Sequence, residues 1–128
     1  MQIKLAQIFV DDQDAARAFF TEKLGFQVKT DAAYGPDDRW LTVVSPESPD
    51  GIELLLSKPD DTARAFRDGL KARGTPATSF VTDDITKEYE ALSARGVNFT
   101  MPPTRMDYGG TDAVFDDGLG NLLNLHQE

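Results

Sequence analysis

The chain contains no cysteine. A disulfide, a thiolate nucleophile and a thiolate metal cluster are therefore excluded, and cysteine usage says nothing about redox compartment. Imidazole is almost absent too. With His126 the sole histidine, a Ser–His–acid set has one possible base, and no serine stands out as its nucleophile. Positive charge is scarce: 13 Lys and Arg face 22 Asp and Glu, a formal net charge of -9. That balance argues against nucleic acid and acidic membrane surfaces as partners, since both rely on basic patches. No apolar run approaches the length of a bilayer span. The opening MQIKLAQIFVDD lacks the apolar stretch and small-residue cleavage site of a secretory signal. A cytoplasmic protein with no membrane partner is expected. The glycine-containing stretches YGPDD, DDGLG and MDYGG lack the spacing of a phosphate loop or dinucleotide fingerprint. Asp116 and Asp117 read as a hairpin turn, because a calcium loop needs more regular oxygens.

What is present suffices for a core. In 128 residues, 40% are hydrophobic, enough for one compact domain spanning 1–128. Residues 3–10, IKLAQIFV, read as a strand with Gln7 in its middle. Asp11 and Asp12 offer caps for a helix over DAARAFFTEKLG, which places Ala16, Phe19, Phe20 and Leu24 near one face and stops at Gly25. Residues 26–29 predict a short strand, 32–39 a polar turn region and 40–44 another strand. After the proline-containing connection SPESPDG comes the strand with Glu53. A helix follows over DDTARAFRDGLKARG, with Ala63, Phe66 and Leu70 at helical spacing.

The chain then repeats itself. Overlaying the sequence on itself so that Phe9 and Val10 fall on Phe80 and Val81 also puts Asp12 on Asp83, Gly25 on Gly96, Val43 on Val114 and Leu54 on Leu125. Strand, acidic cap, helix, glycine stop and three further strands recur in order. The expected architecture is α+β: two tandem βαβββ modules, 1–57 and 75–128, joined by a helical linker over 58–74. Neither module alone has the mass for a secure core, so the two should pack as one domain, a curved sheet cup with helices outside.

The apolar run Ile52, Leu54, Leu55, Leu56 carries a carboxylate, Glu53, in its midst. An ionised carboxylate within a buried layer is costly unless hydrogen-bonded, paired or metal-bound. Either Glu53 faces water on a half-buried sheet or its face of the sheet lines a pocket. The repeat sets Glu53 against Asn124 and Gln7 against Thr78, four polar side chains in mid-strand. Period-two alternation puts Leu5, Gln7 and Phe9 on one face and Ala6, Ile8 and Val10 on the other. Trp40 and Phe9 are candidates for an apolar wall, and Tyr34 and Tyr108 for closure from loops. RMDYGG, residues 105–110, is a candidate lid, and Arg39 and Arg105 are candidate anion contacts. Each also has an ordinary reading as core, loop packing or solvated charge.

The stretches IFVDDQDAARAFFTEKLGF, FVTDDITKEYEALSARGVNF and MPPTRMDYGGTDAVFDDGLGNLLNLHQ resemble the vicinal oxygen chelate superfamily. It includes glyoxalase I, extradiol dioxygenases, fosfomycin-modifying enzymes and bleomycin-binding resistance proteins. The resemblance covers nearly the whole chain and rests on the order and spacing of its elements. It implies two βαβββ modules forming an open cup, commonly completed in a homodimer. Metal-dependent members hold a divalent ion with His or Gln on the first strand of each module and carboxylates on the last strands. Those positions fall on Leu5, Pro76, Glu53 and Asn124, of which Glu53 alone is a good ligand. A three-donor alternative joins Gln7, Glu53 and His126, with the strands offset by two residues.

The leading expectation is metal-independent binding of a small, partly aromatic molecule, a metabolite or antibiotic, by a homodimer without cofactor. Gln7, Phe9, Trp40, Glu53, Thr78, Asn124 and Tyr108 are the expected ligand-binding residues; Trp40 in an acidic site would suit a cationic aromatic drug. Two alternatives stand beside it. One is a lyase or dioxygenase-like enzyme with Glu53 catalytic, carrying one divalent metal ion on Gln7, Glu53 and His126 or reacting without metal at Glu53. The other is a structural or regulatory dimer whose cup is filled by its own side chains.

Overall fold

The first strand, β1 (Leu5–Phe9), alternates as expected. Ile8 and the following Val10 are buried on one face, while Leu5 and Gln7 are exposed on the other. Asp12 caps α1 (Gln13–Ala18), its side chain accepting from the Ala15 amide, an arrangement that stabilises a helix by about 1 kcal/mol. The helix continues as a π turn over Phe19–Lys23, closed by the Leu24 amide on the Phe19 carbonyl, and Gly25 leaves it at φ 77°. Three strands follow, β2 (Gln27–Tyr34), β3 (Asp38–Val44) and β4 (Glu53–Ser57). The sheet order is β1-β4-β3-β2, with β1 and β4 parallel and the other pairs antiparallel. Ala16 and Phe20 of the helical segment are fully buried, as are Leu41, Val43 and Leu56. Each large apolar side chain buried this way contributes roughly 1.5–3 kcal/mol.

The computed structural model describes residues 1–128. It confirms the α+β class and the two βαβββ modules. The chain forms two compact units, Met1–Arg64 and Ala65–Glu128. The division falls inside α2 (Asp61–Ala72), which occupies the segment expected to join the modules. The second unit repeats the first: β5 (Thr78–Val81), α3 (Ile85–Ala94) capped by Asp84, β6 (Asn98–Arg105), β7 (Thr111–Asp116) and β8 (Leu122–Gln127). Its order, β5-β8-β7-β6, again has the first and last strands parallel. No helix is long and apolar enough to cross a membrane.

One local expectation fails, and one helix buries an unexpected side chain. The strand placed at 26–29 runs on to Tyr34, because it pairs along the length of β3 from Gln27↔Val44 to Tyr34↔Asp38, leaving a short turn where Gly35 takes φ 64°. In α2, where Ala63, Phe66 and Leu70 fall at helical spacing, Phe66 is 63% exposed and Arg67 is 5% exposed. The Arg67 guanidinium donates to the Leu119 carbonyl at 3.3 Å and to Asp68. It lies against Gly120, where a Cβ would come within 2.5 Å of the Arg67 Cζ. Gly120 also has φ 107°, so Gly120→Ala combines strain with a clash against a buried charge. A loss of roughly 1–3 kcal/mol is expected in urea unfolding; a variant within 0.3 kcal/mol of wild type would contradict this packing.

On the helix side of the first sheet, Asp31 is an ionic hub. Arg39 binds it through two nitrogens at 2.8 and 2.9 Å, Arg17 pairs with it from α1, and Arg39 also reaches Asp14 at 2.6 Å. The Arg39 hydrogen bonds are the largest influence on Asp31 and, with those of Arg17, outweigh burial to bring its carboxyl down to about 2. A depressed folded pKa means the stabilisation is present above the ordinary carboxylate range and lost as pH falls toward 2. The cluster is partly exposed, so solvent screening limits it to about 1 kcal/mol. Asp31→Asn should therefore be destabilised at pH 7, with the deficit shrinking between pH 4 and about 2. Unfolding curves across that range check it; a deficit independent of pH would count against the ionic account.

Candidate functional site

The sheet face opposite α1 collects most of the residues singled out in the first module. Leu5 pairs with Glu53, Gln7 with Leu55 and Phe9 with Ser57 across β1 and β4, and Thr42 continues the row from β3 opposite Leu55. The Gln7 amide donates to the Ser57 hydroxyl at 2.7 Å. Glu53, at the start of β4, accepts from the buried Thr42 hydroxyl at 2.8 Å and lies 3.7 Å from the Lys4 ammonium. The carboxylate in the apolar run is thus satisfied by a neighbouring strand and a surface cation. Trp40 alternates onto this face two residues before Thr42 and is 38% exposed. Its ring meets Tyr34 edge-on, with centroids 6.1 Å apart. Gln7, Phe9, Trp40 and Glu53 therefore share one face. Arg39 does not: it belongs to the Asp31 cluster on the helix side.

In the second unit the register changes the assignment. Asn124 pairs with Ser79, and its amide donates to the Ser79 hydroxyl at 2.8 Å. Thr78 pairs with the fully buried Leu123, so it lies on the opposite face from Asn124. Thr78 and Asn124, both expected to bind the ligand, therefore do not share a face, and Ser79 stands beside Asn124. Farther along β8, His126 pairs with Asp112 of β7, and its Nδ1 lies 2.5 Å from Asp112 Oδ1. The Tyr108 hydroxyl donates to the other Asp112 oxygen, and the Tyr108 ring stacks on His126 at 6.4 Å and 26°. Asp112 is only 6% exposed. Burial pushes its carboxyl up, but donation from Tyr108, His126 and Asn124 more than offsets this and leaves it below its usual value. The same contact, a donor held against an anion, pushes the Tyr108 phenol up.

The stretch considered as a lid is a closed turn between β6 and β7. The Met106 amide bonds to the Gly110 carbonyl, the Gly109 amide to the Met106 carbonyl, and both glycines have positive φ. Gly110 lies so close to His126 that a Cβ would sit 2.7 Å from the imidazole Cε1. Thr42, Ser57, Ser79 and Asp112 had not been singled out in the sequence. Asp112 had a readable signal, since a hairpin closing through 117–121 brings it opposite His126.

The match between modules also shifts. Both capping aspartates, Asp12 and Asp84, mark one correspondence, but the connection 45–52 before β4 is three residues longer than 117–121 before β8. By ladder position, the Leu5–Glu53 pair corresponds to Ala77 and Leu122, which are joined by an amide–carbonyl bond of 2.8 Å. Leu5, Ala77 and Leu122 offer no side-chain donor, so these positions do not fit the four-ligand divalent ion of metal-dependent relatives. The three-donor alternative takes its residues from two different units. Gln7 and Glu53 belong to the first unit and are held by Ser57, Thr42 and Lys4, while His126 is held by Asp112 in the second. No group of three His, Asp or Glu side chains is arranged to hold a metal ion.

The tandem topology, strand order and residue faces define the class. The chain belongs to the Glyoxalase/Bleomycin resistance protein/Dioxygenase superfamily, whose family model matches residues 2–125. It is 46% identical to the uncharacterized protein YurT of Bacillus subtilis (strain 168), with full coverage of both chains. Among solved structures it is similar to UcmS2, with a TM-score of 0.83 and 35% identity over 98% of this chain and 97% of that one. It is also similar to TnmS3, an antibiotic binding protein from Streptomyces sp. CB03234, with a TM-score of 0.78 and 27% identity over 99% and 95% of the two chains.

The Thr42–Glu53 contact offers a direct check on how the carboxylate is held. Thr42→Val keeps the shape but removes the buried donor, and about 1 kcal/mol of stability should be lost. Urea unfolding reads the change. A variant as stable as wild type would mean that Lys4 and solvent satisfy Glu53 unaided.

Proposed function

We propose that the protein is a metal-independent binder of a small, partly aromatic molecule, a metabolite or an antibiotic, acting as a cytoplasmic homodimer. One observation carries the reading. On the sheet face opposite α1, the exposed Tyr34–Trp40 aromatic pair shares the surface with the polar side chains Gln7 and Glu53. Apolar and aromatic surface with a few placed polar groups is the usual make-up of a small-molecule site. Phe9 adds a half-buried apolar contact to this face. The second sheet carries polar and aromatic groups of its own, Asn124 with Ser79 and Tyr108 with Asp112. The likeness to TnmS3 supports the same reading, as that structure is of an antibiotic binding protein. The lack of side-chain donors at Leu5, Ala77 and Leu122 supports metal independence.

The test has two arms. Purified protein, before and after loading with nickel, zinc, manganese and iron(II), should retain no stoichiometric metal by elemental analysis. About one ion per chain, lost in Glu53→Ala, would replace this reading with a metal-dependent lyase or dioxygenase-like enzyme. In the second arm, a panel of aromatic antibiotics and metabolites is screened by fluorescence, because Trp40 is the only tryptophan. A ligand that quenches it should bind Trp40→Ala at least tenfold more weakly by calorimetry, about 1.4 kcal/mol. Unchanged affinity would remove Trp40 from the site.

A further inference from the structure

We propose that Asp112 and His126 form a proton-accepting pair that selects ligands carrying a weakly acidic hydroxyl, a phenol or an enol. The inference rests on the reading of the protein as a small-molecule binder and names the chemistry that its second sheet would recognise. Asp112 receives the Tyr108 hydroxyl on one oxygen and faces His126 Nδ1 with the other at 2.5 Å. An ionised carboxylate accepts hydrogen bonds and donates none, so the proton in the short contact belongs to Nδ1. That fixes the tautomer of the neutral ring and leaves Nε2 with its lone pair.

The surroundings favour use of that lone pair. Nδ1 makes the hydrogen bond of the ring, and the side chain keeps 26% of its surface open. Gly110 packs on the Cε1 edge with no room for a Cβ, and Tyr108 stacks on the ring face, so the imidazole plane is fixed from two sides. Asp112 from β7 and Tyr108 from the β6–β7 turn are the titratable groups facing the ring. The β5 neighbour is Val81, 71% exposed, which presents an apolar surface beside it. A ligand hydroxyl at Nε2 can pass its proton across. The O–H bond breaks, its electron pair stays on oxygen, and the proton forms a new bond at Nε2. The products are an oxyanion and an imidazolium, and the negative charge of Asp112 offsets the positive charge the ring gains. The methyl ether of the same ligand has no proton to give and leaves the Nε2 lone pair without a donor.

The probes are 4-nitrophenol, whose anion absorbs in the visible, and its methyl ether 4-nitroanisole, titrated at a pH about one unit below the ionisation of the free phenol. Wild-type protein should bind the phenol at least tenfold more tightly than the ether and show anion absorption in the bound state. His126→Gln should abolish both the preference and the anion signal. In Asp112→Asn an amide donor faces Nδ1, the ring proton moves to Nε2, and the site becomes a donor. That variant should lose the anion signal while still binding the ether. Equal affinity of wild type for the two probes, an anion signal that survives His126→Gln, or no binding of 4-nitrophenol at millimolar concentration would each overturn the inference. The wild-type comparison stands even if a variant fails to fold. Equal binding of phenol and ether with quenching of Trp40 would leave the broader binding role intact, whereas failure of the whole aromatic panel to quench Trp40 would remove that role as well.

Discussion

Each sheet depends on a parallel pairing between the first and last strands of its module. Such a pair cannot be closed by a tight turn and needs a crossover. The crossover is supplied by α1 and α3, each started by an aspartate cap and each covering one side of its sheet. With the helix on that side, Ile8, Val10, Leu54 and Leu56 in the first unit are committed to the core, as are Leu123 and Leu125 in the second. Strand alternation then commits the intervening side chains to the other face. Gln7, Glu53, Asn124 and His126 owe their common orientation within their units to that choice.

Much of this fold was legible because it is written in local signals. Aspartate before an apolar helix, glycine after it and period-two strands recur in both halves, and each has a direct physical cause. The site was less legible because it depends on register across strands that are distant in sequence. A self-overlay anchored at the first strand assumes connections of equal length, yet the connection before β4 is longer than the one before β8. In a strand, a slip of one residue exchanges the two faces, which is why Ser79 and not Thr78 stands beside Asn124. Arg67 and Phe66 teach a related lesson. On α2, Phe66 sits at helical spacing with Ala63 and Leu70, yet Arg67 is the side chain that is buried, its guanidinium donating to the Leu119 carbonyl of the 117–121 turn.

The two modules have used the same scaffold position differently. Trp40 and Asp112 hold matching places on the third strand of their sheets, the one in line with Ser57 and the other opposite His126. In the first unit the position gives exposed aromatic surface in contact with Tyr34. In the second it gives a buried carboxylate that a histidine and a tyrosine must satisfy. Duplicated architecture therefore supplies two unlike faces, one suited to π surface and one to hydrogen-bonded protons.

The π turn at Phe19–Lys23 has a meaning beyond local geometry. From the capping aspartate to the glycine stop, the first module has one residue more than the second, Asp12 to Gly25 against Asp84 to Gly96. The surplus is taken up as a wider turn within the helix and is not passed on to the sheet, where it would invert every side chain of the next strand. Helical crossovers thus act as the fold's tolerance for insertions and deletions, and strands as its fixed reading frame. Length variation among relatives should accumulate in that turn and in the connection before the last strand, while the spacing within each strand pair stays unchanged.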